Sequence, residues 1–168
     1  MKLYSWPNSD VKIKIGSDTY LGKIGSGGSG TVKLSKVYKL GSKIYITYVN
    51  GEYVAKQTLP VYSATDVDSA KAKKKTIKVV FWNLHKGDII KLKYKKKIYT
   101  KKVTKNYDGK YKAVKFKVKK KVKPKNKFTV KVYNKYKQPH DKVVFKVKKG
   151  TTKCKALSGK SYYHYDPD

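Results

Sequence analysis

In the second half of the chain apolar residues alternate with lysine. Ile90, Leu92 and Tyr94 alternate with Lys91 and Lys93; Val114, Phe116 and Val118 with Lys115, Lys117 and Lys119; Phe128, Val130 and Val132 with Lys127, Thr129 and Lys131. A period of two places successive side chains on opposite faces of a strand, so each run has one apolar face and one cationic face. The first half repeats the period more quietly, with Val11, Ile13 and Ile15 around Lys12 and Lys14, and Ile44, Ile46 and Tyr48 around Tyr45 and Thr47. Turn residues separate the runs at Ser17-Asp18, Ser26 to Gly30, Asn50-Gly51, Asp108-Gly109 and Gln138-Pro139, and no stretch carries a helical period. The expected fold class is all-β.

Composition agrees. All 43 basic residues among the 168 are lysine, against 10 acids, for a formal net charge of +33. Such charge pushes toward disorder, but disordered chains are poor in aromatic and β-branched residues, and this one has 16 tyrosines and abundant valine and isoleucine. Cys154 is alone, so neither an internal disulfide nor a cysteine metal cluster is expected. No run approaches the roughly 20 apolar residues of a membrane helix. Met1 to Pro7 lacks the apolar core of a signal peptide. The chain therefore reads either as intracellular or as a piece of a longer exported product. Charge is unevenly divided: residues 1–70 hold 9 lysines and 5 acids, residues 71–168 hold 34 and 5.

An internal repeat sets the expected organisation. At an offset of 79, Val11, Ile13 and Ile15 fall on Ile90, Leu92 and Tyr94, Tyr20 on Tyr99, and Gly30 on Gly109. After a five-residue insertion the offset becomes 84, where Ile44, Ile46 and Asn50 fall on Phe128, Val130 and Asn134, and Leu59 and Val61 on Val143 and Phe145. The expected division is a β-sandwich over 1–64, a linker over 65–76, a lysine-rich β-sandwich over 77–149, and a tail or the start of a truncated third unit over 150–168. Trp6 and Trp82, near the start of each unit, are expected as core anchors.

The run VKIKIGSDTYLGKIGSGGSGTVKLSKVYKLGSKIYITYVNGEYVAKQTLPVYSA resembles a bacterial immunoglobulin-like domain of the surface-protein type, with its glycine-rich turn and its G-S-K-I-x-I-T strand. KNKFTVKVYNKYKQPHDKVVFKVK is similar to the lysine- and tyrosine-rich immunoglobulin-like repeats of adhesin-like proteins from archaea and low-GC bacteria, although Asn134 is followed by Lys135 where that pattern has glycine. The resemblance implies two tandem immunoglobulin-like sandwiches in a longer extracellular cell-surface protein, in a stalk or adhesive role without catalysis.

The residues offer little chemistry beyond this. Gly25, Gly27 and Gly30 satisfy G-x-G-x-x-G, but Thr31 to Leu34 read on as a strand, whereas a phosphate-cradling loop must feed a helix. His85, His140 and His164 never fall at metal-ligand spacing, and Asp66 with Asp68 supplies too few oxygens for calcium. No acid–base pair for hydrolysis is in view, and no acid suited to a Lys–Asn cross-link; neither enzyme activity nor a cofactor is expected. The tail SYYHYDPD, with Tyr162, Tyr163 and Tyr165 around His164, reads as a frayed end or an aromatic sugar-stacking segment.

The lysines remain. Lys91, Lys93, Lys115, Lys117, Lys119 and Lys131 form the expected polyanion-binding face, its partner an anionic cell-envelope polymer or glycan. Solvation and the blunting of strand edges would also account for them. Nonspecific nucleic-acid binding is the alternative, and the absence of arginine argues against base readout.

Overall fold

The structure, a computed structural model, describes residues 1–161, and it is all-β across them. Two compact units divide the chain, Met1–Val61 and Tyr62–Asp168.

In the first unit, strands β1 (Lys2–Tyr4) and β4 (Ser29–Thr31) pair as a small sheet. Strands β2 (Asp10–Ile15), β3 (Asp18–Lys23), β5 (Lys43–Asn50) and β6 (Tyr53–Pro60) form a second sheet in the order β3-β2-β5-β6. Their inward residues, Leu3, Val11, Ile13, Ile15, Ile44, Ile46 and Tyr48 among them, share one core with Ile24 and Val32, giving a sandwich-like packing. The glycine-rich turn closes on itself, Gly25 N–H donating to Ser29 O at 2.8 Å. It leads into a strand of three residues, shorter than the run through Leu34 that the sequence suggests. Gly30 is required there because a Cβ would lie 2.4 Å from Lys23 O.

The second unit is larger. Strands β7 (Asp66–Lys73), β8 (Thr76–Trp82) and β11 (Tyr111–Lys117) form one sheet in the order β11-β8-β7. Strands β9 (Ile89–Tyr94), β10 (Lys97–Lys102), β12 (Lys127–Tyr133), β13 (Pro139–Val147) and β14 (Cys154–Ser161) form the other, in the order β10-β9-β12-β13-β14. Ile77, Val79 and Phe81 from one sheet and Leu92, Val130 and Phe145 from the other are almost completely buried in a single core. Phe128 and Phe145, directly opposite in the β12–β13 ladder, stack with centroids 5.4 Å apart.

Three expectations need correction. Residues 65–76 are not a linker: β7 pairs with β8 from Asp66↔Trp82 to Lys73↔Thr76, and Val67, Ala70 and Ala72 are buried. Nor is the segment after Gly150 a bare tail, since β14 pairs along β13 from Val147↔Cys154 to Asp141↔Ser161. Tyr162, Tyr163, His164 and Tyr165 lie outside the described residues. The tryptophans are not core anchors either. Trp6 is 48% exposed, edge-on to Tyr53, and Trp82 faces outward from β8 because its neighbour Phe81 takes the inward position.

The β2–β3 and β9–β10 hairpins both close through two-residue turns with the first residue at positive φ, Gly16 at 59° and Lys95 at 56°. In the last hairpin the alignment shifts: Ile44 faces Leu59 and Phe128 faces Phe145, so Leu59 corresponds to Phe145 rather than to Val143. The segment from Phe128 to Phe145 is two residues longer than that from Ile44 to Leu59, the excess falling in the turn and in the register shift beside it.

Candidate polyanion-binding surface

The six lysines singled out by the alternation do not share one face. Lys91, Lys93 and Lys131 point away from the core on the five-stranded sheet. There Lys131 stands directly opposite both Lys91 and Lys142, a row of three cations across β9, β12 and β13. Lys127, Lys146 and Lys155 make a second such row on β12, β13 and β14. Lys115 and Lys117 lie on the outer face of the three-stranded sheet, where Lys115, Lys78 and Lys71 are aligned across β11, β8 and β7. Lys119 belongs to neither sheet and sits in the connection after β11. The expected face left out the other members of the rows, Lys71, Lys78, Lys127, Lys142, Lys146 and Lys155; only ladder register brings them together.

Like charges directly opposite each other across a ladder destabilise it, and acids placed between them would relieve the repulsion. The acids are elsewhere. Asp88 and Asp141 are turned into the protein, 3% exposed each, and Asp108 stands 3.1 Å from His85 Nε2. Asp66 and Asp68 lie at the start of β7 beside the tilted Trp82–Tyr111 pair, whose centroids are 4.6 Å apart, around a concavity of about 460 Å³. No cluster of three or more potential metal ligands occurs among the described residues.

Inside the second unit, three segments converge on a buried polar cluster that no spacing in the sequence announces. Ser63 Oγ lies 2.9 Å from His140 Nδ1, and His140 Nε2 lies 3.5 Å from Asp88 Oδ1. The serine also accepts a hydrogen bond from Thr65 N–H, while Asp88 Oδ2 accepts one from His85 N–H at 2.8 Å. Asp141 accepts backbone N–H bonds from Val67 at 2.7 Å and Lys142 at 2.8 Å, and burial pushes its carboxyl above the usual range in spite of them. A serine, a histidine and an aspartate in contact suggest nucleophilic catalysis, but a nucleophile must meet substrate, and all three are more than nine-tenths buried. The cluster instead ties the entry of the chain into this unit, Ser63 to Val67, onto β13 and the start of β9.

The connection carrying Lys119 is held by two tyrosines. Tyr99 OH accepts the Lys119 N–H at 2.9 Å, and Tyr94 OH donates to Lys121 O at 3.0 Å or Asn126 Oδ1 at 2.9 Å. Val118 and Val122 are buried and donate their N–H groups to Lys75 O and Lys74 O. Lys119 is thereby fixed beside the β9–β10 turn, where it lines a hollow of about 460 Å³ with Lys95, Lys96, Lys97, Lys120 and the two tyrosines. The Lys119 ammonium group beside Lys97 holds the pKa of Lys97 below the ordinary lysine value. No protein-family model matches the chain, and no curated protein matches it.

Proposed function

We propose that the chain is a pair of immunoglobulin-like units from an extracellular surface protein, with a stalk or adhesive role, and that its second unit contacts anionic cell-envelope polymer through its lysine rows. The observation that carries this is the charge arrangement. Residues 62–168 hold 34 lysines against 7 acids, and the lysines stand opposite one another on both outer sheet faces without intervening carboxylates. Repulsion of that kind is relieved by counter-ions from outside the chain, and a polyanion supplies them at high local density. The immunoglobulin-like reading is supported by strand order. Counting from β7, the first, second and fifth strands share one sheet and the third, sixth and seventh share the other, the A-B-E and C-F-G division of that fold, with β10 added at the C edge and β14 at the G edge. No catalytic role enters this reading.

The absence of arginine favours an envelope polymer over nucleic acid: the contacts that read guanine are bidentate, and lysine acts as a point charge. Titration of the protein against poly(glycerol phosphate), an acidic polysaccharide and duplex DNA tests it. Binding to all three should weaken steeply between roughly 50 and 200 mM salt. Tight, salt-resistant binding to DNA alone would overturn the reading, as would failure to bind any of them at roughly 50 mM salt.

A further inference from the structure

The two units build the same corner with opposite charge. In the first, the β2–β3 turn is followed by Asp18, which forms an ion pair with Lys36 at 2.6 Å in the connection after β4 and accepts a hydrogen bond from Tyr38 OH at 2.8 Å. Tyr20, two residues on, bonds to Ser35 Oγ and to Tyr38 OH in the same connection. These contacts hold the Asp18 carboxyl below its usual range, with Lys36 the foremost cause. The corner is neutralised from within.

At the offset of 79, Gly16 becomes Lys95, Asp18 becomes Lys97 and Tyr20 becomes Tyr99. Tyr99 likewise reaches into the connection after β11, where it receives the Lys119 N–H. Where the first unit sets an acid against a lysine, the second sets Lys97 against Lys119, with Lys95, Lys96 and Lys120 around them and no carboxylate in the lining of the hollow. Tyr99 and Tyr94 pin the backbone of the connection, and the Lys97 ammonium group lies 5.6 Å from the centre of the Tyr99 ring, so both lysines spring from fixed backbone positions at the hollow. Both cations line one hollow, where a single oxyanion could meet the two of them.

We propose that this corner, with Lys97 and Lys119 as primary donors, binds a phosphate ester group; this rests on the polyanion-contact reading and names the group recognised. Phosphate fits better than carboxylate. Ammonium groups approaching from two elements act as separate point charges suited to a tetrahedral oxyanion, whereas a planar carboxylate is matched best by the fork of arginine. The tyrosine rings and lysine stems walling the hollow present apolar surface to whatever carries the phosphate.

The test compares the double variant Lys97→Gln/Lys119→Gln with Lys91→Gln/Lys131→Gln, which removes equal charge from the sheet face. On poly(glycerol phosphate) the corner variant should bind at least about tenfold more weakly than the unaltered protein, and the sheet variant about threefold at most. On hyaluronate, a carboxylate polymer, the two should lose affinity alike. Addition of inorganic phosphate should shift the amide resonances of Lys97, Lys119 and Tyr99 in a saturable way. Lys119→Asp supplies the fold control: it recreates the acid–lysine pair of the first unit, so it should fold at least as stably while losing the phosphate response. Equal losses by both variants on the phosphate polymer, with binding by the unaltered protein intact, would overturn the site and leave the diffuse-surface reading standing. Failure of the unaltered protein to bind any polymer, with the phosphate shifts present, would overturn the polymer reading and keep the site.

Discussion

Reversing one charge at the centre of a lysine row should stabilise the second unit. Lys131 has Lys91 on one side and Lys142 on the other, both as direct cross-strand partners. In Lys131→Glu each of those pairs switches from repulsion to attraction. At a partly exposed sheet position such a switch is worth about 0.5–1 kcal/mol per neighbour, so about 1–2 kcal/mol in all at low ionic strength. Other contributions nearly cancel, since lysine and glutamate are both poor strand formers and the β-carbon stays in place. For a unit of this size the gain should raise the melting midpoint by about 5–10 °C. Lys131→Gln, which only removes the repulsions, should give about half. Urea titration followed by circular dichroism is the suitable assay, because guanidinium is itself a salt and would screen what is being measured. The gain should vanish near ~1 M salt, where the Debye length falls to about 3 Å. The same variant should bind polyanion more weakly, so stability and binding move in opposite directions. If both substitutions leave stability unchanged or lower it at low salt, the lysines do not face one another as the ladder places them, and the argument from internal repulsion fails.

Phe116→Lys should unfold the second unit while Lys115→Glu should not, since Phe116 is 1% exposed and its neighbour points outward, and circular dichroism would separate them. A fragment of residues 62–161 should melt cooperatively, whereas residues 77–149, without β7 and β14, should not, because Ile77, Val79 and Phe145 lose cover; calorimetry on the two fragments decides this. Burial raises the Asp141 carboxyl above 3.8, so its contribution to stability is fully present below 3.8 and is lost as pH rises through its folded value; Asp141→Asn should flatten that decline in stability measured across the acid range. Burial also pushes the Cys154 thiol up to about 11, so alkylation at pH 8 should run roughly a hundredfold slower than for a free cysteine of pKa 9.0, and should quicken as pH approaches 11.

The strands that alternate large apolar residues with lysine were legible because each residue carries its own signal. Ile13, Leu92, Phe116 and Phe128 are all almost completely buried, and the lysines beside them face out. β7 was missed for two reasons. Its inward residues past Val67 are only Ala70 and Ala72, too small to mark a period, and the ladder skips at Asp68 between Val67 and Ser69, which shifts the phase of alternation midway. Strand β14, with an alanine, two serines and a glycine in its run, is similarly faint. The tryptophans misled through size: a large aromatic suggests a core, but position within the alternation decides, and on β8 that position went to Phe81.

The candidate surface was legible as lysine density and illegible as geometry, and the difference bears on what the lysines do. A solvated surface would tolerate lysines at any register, and the cheapest arrangement would stagger them or set acids between. Here Asp88 and Asp141, two of the unit's few acids, are spent on the buried cluster that secures Ser63 to Val67, while Lys91, Lys131 and Lys142 face one another. The first unit shows that this scaffold can neutralise a corner, since Asp18 and Lys36 do so at 2.6 Å. A balanced corner in one unit and concentrated charge in the other accord with the proposal that the second unit receives its counter-charge from another molecule.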